Sequence, residues 1–206
     1  MSGPVPLAAL ISGGGRTVLN LADRIDDGEL EAEIVTVVAH REDLAGVKRC
    51  RDRGLSVTVL ERGPAETLDD RLDATLLESG ARCVCLCGYL RHFRIGTLWA
   101  GRTVNIHPAL LPDFGGRGMY GDRVHRAVID SGVRTSGCTV HYVDEEYDHG
   151  PTILQRSCEV LPDDDADALA ARVFELECRA FPEALRAILG DDPIFRRPVT
   201  GPGEPR

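Results

Sequence analysis

The sequence predicts a single α/β domain: a mostly parallel central sheet with helices on both faces and a pair of strands added late in the chain. Three observations carry this expectation. Through the first half, short apolar runs alternate with turns and amphipathic segments, the rhythm of βαβ units. Several of those runs are apolar on both faces, as strands covered by helices on each side must be. Beyond residue 135 the rhythm gives way to two strand-like runs around a turn-rich acidic segment, where antiparallel pairing is allowed.

Taken in order, the first run is residues 7–12, which breaks into a glycine turn and then helical spacing over 16–27. Residues 32–39 form the second run and 42–53 the second helix; 55–60 and 67–79 repeat the unit. The fourth run, 81–87, leads to a helix over 91–99, and a fifth, 103–106, precedes a glycine-rich loop and a helix over 121–131. Residues 137–143 and 152–160 make the strand pair. A long helix over 164–189 follows, opened by Asp163, Asp164 and Asp165, whose charges suit the positive end of a helix. From Gly190 the chain is rich in proline and glycine and poor in apolar residues. A domain over 1–189 and a partly disordered tail over 190–206 are therefore expected.

A chain of 206 residues fills one core, and 43% hydrophobic with 28% charged residues is ordinary for a soluble domain. No apolar run approaches the roughly 20 residues that span a bilayer. The first residues lack the basic region and long apolar stretch of a secretory signal, so a cytoplasmic location is expected. A net charge of -9 weighs against a nucleic-acid backbone as partner, since that binding relies on Lys and Arg replacing counterions. It leaves room for a small anion held by local cations such as Arg16. Seven cysteines without a C-x-x-C pair give no disulfide framework. Cys83, Cys85 and Cys87 alternate along one run and read as small buried hydrophobes on one strand face, so no metal is expected. The sequence is compatible with a monomer or a homodimer.

The chemistry concentrates in Asn105-Ile106-His107-Pro108 and in Asp148-His149-Gly150-Pro151. At the end of a strand, Asn105 and His107 point to the same face, and Pro108 stops the ladder. An amide donor beside an imidazole suits stabilisation of a tetrahedral acyl intermediate, and a nearby carboxylate would complete the set. Upstream, Gly13, Gly14 and Gly15 open the first helix ahead of Arg16 and Thr17, presenting backbone N–H groups and a helix N-terminus to an anion. The turn lacks both the Gly-Lys-Ser/Thr ending of a P-loop and the dinucleotide fingerprint.

Together, Gly88-Tyr89-Leu90-Arg91, Asn105 to Pro112, and the stretch from Ser136 through His141 and Asp148 to Gln155 resemble the folate-dependent formyltransferases. The likeness covers about residues 5 to 190 and is strongest to the branch that acts on glycinamide ribonucleotide. It implies a Rossmann-like formyltransferase fold and formyl transfer from 10-formyltetrahydrofolate to the amine of that nucleotide, a step of purine synthesis. It implies catalytic roles for Asn105, His107 and Asp148, with Asp148 raising the histidine's pKa by charge pairing. It places the phosphate on Gly13 to Thr17 and the ribose on Glu177. It places the folate against Leu90, Arg91, His92 and Phe93 and against Asp144, Glu145, Glu146 and Tyr147. Arg16 and Thr17 stand where the family usually carries Ser-Asn, and His92 and Phe93 where it more often carries aliphatic residues. His125 and His141 read as supporting residues, and the loop from Gly115 to Gly121 as a mobile lid.

Methionyl-tRNA formyltransferase and the sugar-nucleotide formyltransferases share the trio, and the formyltetrahydrofolate hydrolases are close in site. A tRNA-directed formyltransferase is expected to carry a further C-terminal barrel and a basic surface, and a formyltetrahydrofolate hydrolase an N-terminal regulatory domain. A binder that has lost its chemistry would not require Asn105, His107 and Asp148 together.

Overall fold

A computed structural model describes residues 3–61 and 65–200. Seven strands form one sheet in the order β3-β2-β1-β4-β5-β6-β7. These are β1 (Val5–Ile11), β2 (Ala32–Ala39), β3 (Val57–Val59), β4 (Cys83–Leu86), β5 (Thr103–His107), β6 (Thr135–Tyr142) and β7 (Thr152–Glu159). The first five run parallel, and β6 and β7 are each antiparallel to the strand before. The expected strand pair thus extends the sheet by a hairpin.

Apart from β5, the parallel strands are largely apolar on both faces because both are covered. One face carries α1 (Arg16–Asp26), α2 (Ala45–Asp52), α5 (Asp122–Ser131) and α6 (Ala166–Asp191), packed on Leu7, Ala9, Ile11, Val37, Val104 and Val140. Cys83, Cys85 and Cys87 belong to that core as small apolar groups. The opposite face receives α3 (Ala65–Glu78) through Leu68, Leu72 and Leu76, and α4 (Gly96–Trp99) through Trp99, against Ala8, Leu10, Val84 and Leu86.

The strand order reverses beside β1. From β1 the chain winds outward through β2 to β3, then returns to place β4 on the other side. Loops leaving β1 and β4 therefore diverge at their carboxyl ends, the position where open α/β sheets bind ligands. Here those loops are stitched together: Ser12 N–H donates to the Gly88 carbonyl at 3.1 Å, and Leu90 N–H donates to Ser12 Oγ at 2.9 Å.

Two sequence expectations change. The helix predicted over 91–99 is confined to Gly96–Trp99. Phe93 and Ile95 turn into the core while Arg94 between them is held by Asp70 and Asp73 of α3, an alternation of inward and outward side chains that a helix does not permit. At the C-terminus, α6 runs on to Asp191 and a 3-10 turn, Pro193–Arg196, buries Phe195 fully. Arg102 Nη1 donates to the Arg197 carbonyl at 3.1 Å, tying this part of the tail to β5. A single aromatic side chain thus anchors a segment whose composition predicts little packing; residues 201–206 lie outside the described residues. Among the described residues, no helix is long and apolar enough to cross a membrane.

Candidate active site

A cleft of about 610 Å³ opens at the carboxyl ends of β1, β4 and β5, and a narrower compartment of about 70 Å³ adjoins it. Tyr89, Asn105, Tyr147 and Asp148 line both, whereas His107 lines only the larger and His141 only the narrower. Two of the trio read from the sequence, Asn105 and Asp148, therefore stand at the boundary between the two spaces, with His107 on the larger side.

Sheet register assembles it. Asn105 pairs with His141 and His107 with Thr139 across the β5–β6 ladder, so four polar side chains share one sheet face. Asn105 Nδ2 lies 3.1 Å from His141 Nε2 and 3.3 Å from Asp148 Oδ1. His141 Nδ1 faces the Tyr142 carbonyl at 2.8 Å. A carbonyl only accepts, so Nδ1 carries the proton and Nε2 accepts one of the two Asn105 N–H bonds. The other goes to Asp148.

Asp148 arrives on the β6–β7 connection in a left-handed conformation, φ 56°. Its Oδ2 accepts from Gly116 N–H at 3.0 Å and lies 3.5 Å from His107 Nδ1. His107 Nε2 donates to the Phe114 carbonyl at 2.8 Å, which aims the other nitrogen at the carboxylate. Thr139 and Gln155 brace the chain leaving β5: Thr139 Oγ1 donates to the Ala109 carbonyl at 2.7 Å, and Gln155 Nε2 to the Leu111 carbonyl at 2.9 Å.

The electrostatics correct one expectation. Burial pushes the pKa of His107 below the usual imidazole value, outweighing the upward pull of Asp148 and the Phe114 carbonyl, while His141 adds to the depression. The ring is only 3% exposed and the carboxylate 3.5 Å away, so desolvation of the cation wins over pairing. Asp148 behaves oppositely. Burial works to raise its pKa, but the His141 and His107 rings and the Gly116 N–H together hold it below the ordinary carboxylate value. The unliganded site is thus an ionised Asp148 beside a largely neutral His107.

At the far end of the larger cleft, Gly13, Gly14, Gly15, Arg16 and Thr17 face Glu177 of α6. The left-handed Gly15 (φ 70°) ends the turn and caps α1. Arg16 is exposed, but its guanidinium is folded onto α6: its Cζ sits 4.0 Å over the Phe174 ring, one helical turn from Glu177. Burial pushes the Glu177 carboxyl up to about 7 against the opposing charge of Arg16. Arg91, His92, Phe93, Asp144, Glu146 and Tyr147 line the narrower compartment, where His92 and Tyr147 meet edge to face at 5.4 Å. Leu90 lines the larger cleft instead, and the exposed Glu145 lines neither.

Sequence reasoning missed the direct bond from His141 to Asn105 and the Phe174 platform. The first depends on antiparallel register, which a single sequence does not reveal. For Phe174, the signal was its i, i+3 spacing from Glu177. His125 also lines the larger cleft, buried, its Nδ1 without a hydrogen-bond partner among the described residues.

An amide, an imidazole and a carboxylate at the mouth of a switch-point crevice on a Rossmann-like sheet are the groups that acyl transfer calls for. The comparisons narrow that class. The formyl transferase family model matches residues 6–185, and the chain belongs to that family. It is 37% identical over 188 residues to the chloroplastic phosphoribosylglycinamide formyltransferase of Arabidopsis thaliana, covering 88% of this chain and 64% of that protein. The counterpart from Vigna unguiculata is 36% identical, with 93% and 63% covered, so the chain spans just under two thirds of these curated relatives. Among solved structures, glycinamide ribonucleotide transformylase 1 from Symbiobacterium toebii superposes with a TM-score of 0.81 at 34% identity, covering 89% of this chain and 86% of that one. Phosphoribosylglycinamide formyltransferase from Bacillus halodurans gives 0.85 at 27% identity, covering 93% and 100%.

Proposed function

We propose that this chain transfers the formyl group of 10-formyltetrahydrofolate to the amine of N1-(5-phospho-D-ribosyl)glycinamide, giving the N-formyl nucleotide and tetrahydrofolate in de novo purine synthesis. The observation that carries this reading is the position of Asn105 and Asp148 on the wall shared by two compartments. A nucleotide in the larger one and a folate entering the narrower one by its pterin end present amine and formyl carbon to each other at that boundary. The names of the relatives support the nucleotide acceptor and the formyl group that is transferred.

In this reading the amine attacks the formyl carbon and Asn105 donates to the developing oxyanion. Both of its N–H bonds are engaged in the free site, so it releases the longer one, to Asp148 at 3.3 Å, to make the new contact. His107 already donates from Nε2 to Phe114, so it contributes by charge, taking a proton from solvent at Nδ1, which faces Asp148 at 3.5 Å. Asp148 sets that proton's position and, through solvent, helps carry the proton lost by the attacking amine to N10 as the bond from N10 to the formyl carbon breaks and tetrahydrofolate leaves. The phosphate rests on the amides of Gly13 to Thr17 with Arg16 above them, and Glu177 meets the ribose. The pterin lies among Arg91, His92, Phe93, Asp144, Glu146 and Tyr147, with Leu90 at the junction and Glu145 at the outer rim. Two small molecules are the partners, the site of action is the cytoplasm, and no metal enters the chemistry.

The test is deformylation of a 10-formylfolate with and without the nucleotide. Loss of the formyl group only when the nucleotide is present, with the N-formyl nucleotide formed in equal amount, is expected. Release without an acceptor would reassign the site to a hydrolase, and no release under either condition overturns the reading.

A further inference from the structure

The glycine turn does not hold its own shape; α2 holds it. Gly46 N–H donates to the Gly13 carbonyl at 3.1 Å, and Arg49 Nη1 donates to the Gly14 carbonyl at 3.0 Å. The two elements are in close backbone contact. A Cβ at Gly46 would fall 2.5 Å from Gly13 O and 2.9 Å from Gly15 N, and one at Gly14 would meet Arg49 Nη1 at 3.1 Å. In a trans peptide the carbonyl and the following N–H point in opposite directions. Tethering the Gly13 and Gly14 carbonyls to α2 therefore turns the N–H groups of Gly14 and Gly15 away from α2. Neither of these N–H groups, nor those of Gly13, Arg16 and Thr17, has an acceptor among the described residues.

We infer that Arg49 is a positioning residue for phosphate recognition: without reaching into the cleft, its guanidinium fixes the Gly14–Gly15 peptide so that the amides of the turn converge on the anion. Arg49 is absent from the cleft lining, whereas Gly13 to Thr17 all line it. The guanidinium also polarises the peptide it holds, making the Gly15 N–H a stronger donor. The inference rests on the proposed phosphate site and adds the device that presets it.

The test separates the two. Dissociation constants are measured by calorimetry for the glycinamide nucleotide and for the same compound lacking its phosphate, against wild type, Arg49→Ala and Arg49→Lys. The nucleoside-to-nucleotide ratio isolates what the phosphate contributes. In Arg49→Ala that ratio is expected to fall about tenfold, the scale of one lost charge-assisted hydrogen bond, and Arg49→Lys should recover part of it. Folate affinity serves as the control and should stay within about twofold, since the narrower compartment is built from other loops. A ratio identical to wild type overturns the inference, whether the affinities are unchanged or both fall together, the latter marking Arg49 as a general structural residue. If the wild type itself binds nucleotide and nucleoside alike, the phosphate site fails first, and this inference with it.

Discussion

Asp148 is the residue on which the polar cluster converges, and its backbone dictates how to probe it. At φ 56° the residue occupies the left-handed region, which Asn tolerates nearly as well as Asp and Ala does not. Asp148→Asn therefore removes charge with little change of shape. Turnover is expected to fall on the order of a hundredfold or more, with both dissociation constants nearly unchanged, because the charge acts in the transition state. A change confined to KM would reassign Asp148 to binding. The same variant removes the main group pulling the His107 pKa upward, so the imidazole should titrate at lower pH than in wild type; an NMR titration that finds it unmoved would break the proposed pairing. Arg16 is probed at the other end of the cleft. Held 4.0 Å over Phe174, it needs little ordering on binding. Arg16→Ala should raise the nucleotide's dissociation constant roughly ten- to a hundredfold and leave folate binding alone, an outcome calorimetric titration can refuse.

At the scale of elements, the parallel strands were legible because a strand covered on both faces must be apolar throughout, and the Asn-x-His spacing was legible because side chains alternate along β5. What stayed hidden is nonlocal. Nothing in the sequence near Asn105 announces His141, which only the antiparallel register of β6 brings opposite. Nor does the stretch from Arg91 to Ile95 announce that Phe93 and Ile95 will be drawn into the core and deny it a helix. The β6–β7 connection shows how an element sets a residue's position. Gly150 leaves no room for a side chain, since a Cβ there would lie 1.9 Å from the Tyr142 carbonyl. Gly150→Ala must push the connection off β6, and Asp148 sits two residues away. A loss of about 2 kcal/mol or more in stability is expected, together with reduced turnover in the protein that remains folded. Denaturant unfolding and active-site titration check the two parts separately, and full turnover at a shifted midpoint would show that the connection relaxes without moving Asp148.

For the molecule as a whole, the cleft carries opposing pH dependences that one substitution can separate. His107 and His125 are both held neutral by burial, so the unfolded chain takes up protons more readily than the fold does. Their contribution is lost as pH falls below the ordinary histidine value, near 6.5. Glu177 works in the other direction. With its carboxyl pushed up to about 7, the fold favours the protonated acid; that contribution is complete below the ordinary glutamate value and disappears as pH rises through about 7. Glu177→Gln keeps the shape and removes the buried charge. The histidine effects are common to both proteins and cancel in the difference between them. Near pH 8 the variant is expected to be the more stable by on the order of 1–2 kcal/mol, less than the full shift implies because the carboxylate still opens onto the cleft. Around pH 5, where the wild-type acid is already protonated, the difference should shrink toward zero. Thermal unfolding of the pair across that range decides it: an equal gap at both ends would mean that Glu177 does not carry the buried charge. The protein would then spend no stability on holding that carboxylate against Arg16 at the head of the larger cleft.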